Sequence, residues 1–286
     1  MKKFNIKLLF SAFATVFALI AAGPINAYAA TSPTLGAVGS YSVLGHTTVT
    51  NTGATTMPGD LGISIGGAPT GFPPGSVGPP GTIRNAGDSL AAQNANTAAF
   101  GYIDQGCDTT YDGAFKDLVG LNLVAGVYCA DAFQLSGTLT LNGTGVWIFK
   151  SASTLTTSGT ANVVGGDPCS VWWREVSSAT LGTNTSLTGN VLALASISLQ
   201  TGATLNGRAL AQTGAVTLDT NTITGLTCLT TSTFTGGGSV TGVTPKLPNT
   251  GTEPEQNTTS LWAIGISSGI IIVLLSFIIV QRKRVI

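Results

Sequence analysis

Few side chains in this sequence could carry out a reaction, and their spacing argues against the reactions they suggest. Gly62-Ile63-Ser64-Ile65-Gly66 spells the G-x-S-x-G string that sets a nucleophilic serine on a strand-to-helix elbow. A Gly/Pro-rich stretch follows it where a helix is needed, and the only histidine, His46, precedes the serine instead of following it. Asp104, Asp108 and Asp112 recur every four residues but lack the Asp-x-Asp-x-Asp-Gly loop that wraps calcium, so they read as a solvated acidic turn. Trp147, Trp172 and Trp173 offer rings for stacking on a sugar, yet strand alternation turns some of them inward, as core. Cys107, Cys129, Cys169 and Cys228 allow three disulfide pairings. Cys107–Cys129 is the favoured pair, and Cys169–Cys228 requires the chain after Ile223 to fold back. The expectation is a protein that is not an enzyme and holds no cofactor or metal.

What remains is a surplus of threonine. The 286 residues include 43 Thr and 38 Gly but only 24 charged side chains, twelve of each sign. Residues 30–250 hold six Lys or Arg against ten acidic residues, a net charge of −4. With no basic face, nucleic acid is excluded as a partner. Disorder is disfavoured by the low charge and ample hydrophobicity, and helical bundles by the Gly content. Thr-rich short segments separated by turns point to an all-β body.

The Thr must be placed by a repeat. From Gly126 onward the motif [Thr/Ser]-Leu-x-Thr recurs as Thr154-Leu-Thr-Thr157, Thr180-Leu-Gly-Thr183, Ser198-Leu-Gln-Thr201 and Thr217-Leu-Asp-Thr220. Successive copies start 26, 18 and 19 residues apart, the length of one coil of a β-solenoid. Stacking predicts one inward ladder of Leu155, Leu181, Leu199 and Leu218, with Thr154, Thr180, Ser198 and Thr217 outside. A second inward line runs through Val163, Leu187, Leu205 and Ile223, preceded by an outward row of Asn162, Ser186, Thr204 and Thr222. Thr157, Thr183, Thr201 and Thr220 fall between the rows, at a corner. Upstream, 30–84 carries short apolar alternations, and Gly66 to Gly81 reads as an irregular loop. The one helix is expected over about 85–105, capped by Asn85, with Asp88 in its first turn. Leu90, Ala91, Ala95, Ala98, Tyr102 and Ile103 would form its docking stripe.

The chain ends read as addresses. Residues 1–29 form a signal peptide, with Lys2, Lys3 and Lys7, an apolar run from Leu8 to Ala22, and the cleavage triplet Ala27-Tyr28-Ala29. Residues 229–246 are a Thr/Ser/Gly spacer. Residues 247–286 combine Leu247-Pro248-Asn249-Thr250-Gly251, an uncharged span from Leu261 to Val280, and the basic tail Arg282-Lys283-Arg284. This triple resembles the cell-wall sorting signal of Gram-positive-type bacteria. The resemblance implies that a sortase cuts between Thr250 and Gly251 and joins the Thr carboxyl to peptidoglycan, so that the chain meets the membrane only before sorting. The expected location is outside the cell, secreted and anchored to the wall.

The body resembles the ice-binding-protein-like family of bacteria and fungi. The matching stretches include Leu35 to Leu44, Gly59 to Ser64, Gly126-Val-Tyr-Cys129, Val146-Trp-Ile-Phe149, Ser178 to Thr183, Thr201 to Leu210 and Gly214 to Ile223. The resemblance implies a right-handed, discontinuous β-solenoid of triangular section over 30–228, with one α-helix packed along it. It also implies adsorption to an ice crystal through a flat face of outward Thr, Ser, Ala and Asn. Some relatives carry Thr-[Ala/Gly]-x-[Thr/Asn] there; Thr201-Gly202-Ala203-Thr204 fits this pattern, and Thr183 to Ser186 and Thr220 to Ile223 fit it in part. The candidate ice-binding residues are therefore Thr154, Thr157, Thr180, Thr183, Ser186, Ser198, Thr201, Thr204, Thr217, Thr220 and Thr222. The alternative on the same fold is a surface adhesin or structural wall protein that does not bind ice.

Overall fold

The computed structural model describes residues 29–225. Most of the signal segment, the spacer, the sorting motif with Thr250 and Gly251, the 261–280 span and Cys228 lie outside the described residues.

Period-two alternation does the folding. On Val49–Thr52 and Val216–Asp219 every second residue is buried and its neighbours face out. A strand this short cannot bury its apolar face alone, so successive coils stack, pairing strand on parallel strand. Three parallel sheets result, of nine, seven and eight strands, here called A, B and C. Six consecutive coils between residues 109 and 223 visit A, B and C in that order.

The solenoid is discontinuous. The first coil of the chain (Tyr41–Gly45, Val49–Thr52, Thr56–Met57) pairs with the last coil on one side. On its other side it pairs with Asp60–Ile63 in sheet A and Ser76–Val77 in sheet C. The Gly66–Gly81 stretch, expected to be an irregular loop, thus supplies a short strand, and Thr70 bridges to Thr50.

The interior is a set of ladders. Val163, Leu187, Leu205 and Ile223 are buried as expected, and Leu181 lies opposite Leu199. Leu155 is also buried, but it faces Ala179 rather than Leu181 and so belongs to the neighbouring ladder. The 26-residue interval had absorbed this two-residue slip. Each fully buried Leu contributes about 1.5–3 kcal/mol of burial. Tyr111, Tyr128, Phe149 and Trp173 stack along the axis at centroid distances of 6.4, 5.5 and 4.2 Å. All three tryptophans of the sugar-platform question, Trp147, Trp172 and Trp173, are buried.

Sheet A is apolar on both faces, and its outer face carries Leu44, Leu210, Leu192, Trp172, Ile148 and Val127. The helix α1 (Ala86–Tyr102) covers it. The docking stripe is met at Ile103, which is buried against the sheet, and at Ala95, which packs beside it, but not elsewhere. Ser89, Ala92, Gln93, Asn96 and Ala99 are buried, whereas Leu90 and Tyr102 are 54% and 52% exposed. The sheet provides the bulk, so the helix needs small residues for close approach and amides for the backbone groups where coils turn. Gln93 Nε2 donates to the carbonyls of Ala211 (3.2 Å) and Gln212 (2.9 Å), and Gln212 Nε2 donates to that of Asn96 (3.0 Å). Asn85 precedes the helix without a side-chain cap bond, and Asp88 lies in the first turn. Cations gather at the C-terminal end, where the helix dipole favours them. Arg174 Nε donates to the Phe100 carbonyl, Lys150 Nζ lies 2.7 Å from Asp104, and Arg174 Nη2 lies 3.2 Å from it. The Cys107–Cys129 disulfide, Cα–Cα 5.9 Å, then ties the exit of the helix to sheet A.

Candidate ice-binding faces

With sheet A covered, two sheet faces stand bare among the described residues. On sheet B, strand pairing sets Thr50, Thr217, Ser198, Thr180 and Thr156 side by side, continued by Gln134 and Asp117. The hydroxyls of these five residues take no hydrogen-bond partner among the described residues. Beside this row runs another. Val216 donates its N–H to Thr48, Ile197 to Ala215, Ala179 to Ser196, Leu155 to Ser178 and Phe133 to Thr154, which aligns those five acceptors. Ser178 Oγ and Ser196 Oγ accept the N–H groups of Ser196 (3.3 Å) and Ala215 (3.1 Å), fixing this flank to the backbone. The two rows together hold ten side chains, all Thr, Ser or Ala.

Charge lies at the margins of sheet B. Asp117 ends the central row; burial pushes its carboxyl up, but donors from Ser136 and Val119 outweigh this and hold it below the ordinary carboxylate range. Asp219 sits at the B–C corner, where it accepts from the hydroxyls of Thr201 and Thr220.

On sheet C the outward row reads Ser76, Thr56, Thr222, Thr204, Ser186, Asn162 and Thr138, one residue per strand. Its strands carry no charged residue. The predicted order Asn162, Ser186, Thr204, Thr222 is met in full.

The eleven candidates therefore do not share one plane. Thr154, Thr180, Ser198 and Thr217 lie on sheet B, with Thr154 one row away from the others. Ser186, Thr204 and Thr222 lie on sheet C. Thr183, Thr201 and Thr220 are exposed at the corner, where Asn184 and Thr220 turn the chain with positive φ (60° and 52°). Thr157 is a correction: it is 2% exposed, bonds Thr185 Oγ1 at 2.6 Å and accepts the Gly182 N–H. The two-residue slip at Leu155 puts it inside. Thr50, Thr56, Thr70, Thr138 and Thr156 are outside the eleven candidates, although the alternation Val49-Thr-Asn-Thr52 is a usable signal for the first of them.

The residues weighed for catalysis have other employment. His46 Nδ1 and Ser64 Oγ are 2.9 Å apart, but they bond one coil to the next, where Ser64 and Ile65 also donate their N–H groups to Gly45 and His46. Asp104 is spent on Lys150 and Arg174, and Asp108 accepts the Val127 N–H at 2.8 Å.

Residues 43–224 match the family model described as ice-binding-like. The chain belongs to the ice-binding-like family. An ice-binding protein of Nostoc sp. (strain HG1) is 42% identical over 223 residues, covering 74% of this chain and 81% of the relative. An ice-binding protein of Colwellia sp. is 32% identical, covering 71% and 88%. Among solved structures, an ice-binding protein from an Antarctic biological consortium superposes with a TM-score of 0.65 at 36% identity, covering 71% of this chain and 95% of that one. The ice-binding protein of the Antarctic ascomycete Antarctomyces psychrotrophicus gives a TM-score of 0.63 at 38% identity, covering 68% and 98%.

Proposed function

We propose that this is an extracellular, wall-anchored ice-binding protein that adsorbs to ice through the outer face of sheet B. The observation that carries the choice of face is the central row of five hydroxyls without partners among the described residues, flanked by a second row of Thr, Ser and Ala. Neighbouring strands lie about 4.8 Å apart and alternate residues of one strand roughly 6.6 Å apart, so the rows form a regular grid. Each Thr offers a methyl and a hydroxyl on a stiff β-branched stem. Side chains already fixed on stacked strands lose little freedom when they hold an ordered water layer, the general gain of preorganisation. Charged groups would hold water in other geometries, and here they are confined to the edge.

Location outside the cell is supported by the signal-like start, the sorting-signal-like end and a disulfide, which persists in an oxidising compartment. In this reading a sortase joins Thr250 to peptidoglycan and leaves the solenoid as an ice anchor on the wall. Full-length protein in supercooled solution is expected to show thermal hysteresis and faceted crystals. The absence of hysteresis, faceting and uptake into growing ice would remove the reading. For the anchor, Pro248→Ala with Thr250→Ala is expected to move the protein from the wall fraction to the membrane fraction.

A further inference from the structure

We infer that Cys169 is bridged to Cys228 and that this disulfide carries the pull of the wall anchor into the body of the solenoid. The mechanical role rests on the wall-anchor reading above and goes beyond it. Cys169 is disulfide-bonded, and Cys107 and Cys129 are joined to each other. The sequence holds one further cysteine, Cys228, three residues past the last described residue, Gly225. Outside the cell the two thiols give up two protons and two electrons to a disulfide-bearing oxidant, which leaves as a dithiol.

The corner between sheets C and A brings the bridge within reach. The chain leaves the last strand of sheet C, Thr222–Ile223, at that corner. Cys169 lies on the same corner, between Asn162–Gly165 of sheet C and Val171–Glu175 of sheet A. Gly225, Gly207 and Gly189 follow one another along it, one per coil. Their backbones are so close that a Cβ on Gly225 would lie 2.2 Å from the Gly207 nitrogen, and one on Gly207 would lie 1.8 Å from the Gly189 carbonyl oxygen. Cys169 stands one coil further, so three strand spacings of about 4.8 Å separate it from Gly225, about 14 Å in all. Three residues reach about 10 Å, and a disulfide joins Cα atoms about 4.4–6.8 Å apart. Together they just cover the distance.

The bridge changes where force enters. Thr222–Ile223 is a two-residue strand, paired with two residues of the preceding coil and one of the first. A pull on Gly225 meets these bonds one after another. A pull on Cys169 bypasses the coils between 170 and 225 and meets a turn fastened on several sides. Asp167 accepts the Cys169 N–H through Oδ1 at 2.9 Å and the Ser170 N–H through its carbonyl at 2.7 Å. Asn190 Nδ2 donates to the Pro168 carbonyl at 2.8 Å. The strand that follows, Val171–Glu175, pairs through five residues on one side and four on the other, and seats Trp173 and Trp172 in two separate cores. Each coil has three sides, and this is the corner opposite sheet B, so the anchor pulls from behind the proposed ice face.

Stretching single full-length molecules between their two ends, under non-reducing conditions, tests this. Cys169 and Cys228 are 59 positions apart, a length that an intact bridge withholds from extension, about 20 nm at roughly 3.5 Å per residue. Cys169→Ser and Cys228→Ser are each expected to lengthen the fully extended chain by that amount and to yield at lower force than wild type, with thermal hysteresis unchanged. A non-reducing digest of wild type should hold Cys169 and Cys228 in one linked pair of peptides. Wild-type extension in both variants, or Cys169 linked elsewhere, would overturn the bridge. Longer chains that yield at the wild-type force would overturn its load-bearing role. A Pro248→Ala, Thr250→Ala protein that stays in the wall fraction would overturn the anchor reading and that role with it, whatever the extensions show.

Discussion

Thr156 lies directly across from Thr180 in the next coil, and Leu155 from Ala179. This register puts Thr156, rather than Thr154, in the central row of sheet B. Thr156→Tyr is therefore expected to reduce thermal hysteresis as strongly as Thr180→Tyr. Both should unfold at the wild-type temperature, because an outward aromatic meets no core. Full activity in Thr156→Tyr, measured beside a weakened Thr180→Tyr, would contradict the register as a guide to the face.

Thr157 has the opposite role. Its hydroxyl accepts the Gly182 N–H at 2.8 Å and meets Thr185 Oγ1 inside the solenoid. Thr157→Val keeps the shape but leaves both groups without that partner. The expected loss is about 1–3 kcal/mol in urea unfolding, with hysteresis per folded molecule unchanged.

Glu175 gives the solenoid a pH dependence. The side chain is fully buried, and burial pushes its carboxyl up to about 8 against the hydrogen bond from Ser151 and the charge of Arg174. Its second oxygen has no partner among the described residues. Below the unfolded value of 4.5 both states are protonated and the fold keeps its full stability. As pH rises further the unfolded chain ionises first, so stability falls until the folded carboxyl ionises near 8. At one pKa unit per 1.36 kcal/mol, the total is on the order of 5 kcal/mol. Unfolding free energies across this interval should fall in wild type and stay flatter in Glu175→Gln. An identical slope in the two proteins would rule out Glu175 as its source.

The disulfide should matter at the exit of α1. Cys107 and Cys129 are 22 residues apart in sequence, and opening a loop of that size costs roughly 3 kcal/mol in the chain-entropy account. Cys107→Ser with Cys129→Ser is expected to lower the unfolding midpoint under non-reducing conditions. Reductant should lower wild type at least as far, because Cys169 is disulfide-bonded as well.

Much of this architecture could be inferred from residue spacing, and the failures have physical causes. Leu181 and Leu199 align because their coils have nearly equal lengths, and the Ser186–Thr204–Thr222 row follows for the same reason. The coil of 147–165 is longer, so matching its motif to the next placed Leu155 and Thr157 two residues out. The coil of 109–123 lacks the Leu-x-Thr motif, and its two-residue strands leave too short an alternation to detect. The face of α1 is only partly legible, because polar Ser89, Gln93 and Asn96 face the sheet among its small apolar residues. Carbonyls at Ala211 and Gln212 required Gln93 there instead, and displaced Leu90 to solvent. No spacing rule could show that Val49–Thr52 abuts Val216–Asp219, since that contact joins segments more than 160 residues apart.

That last contact also governs how the molecule comes into being. An ordinary solenoid can lengthen coil by coil and fray from either tip. Here the final coil is wedged between its predecessor and the first coil, so it is not a tip. The opening strands must therefore stay unlatched until residue 223 has been made, and only then can first and last coils close on each other. The molecule closes as a buckle closes, and fraying is left to the short end strands at 76–84 and 109–123.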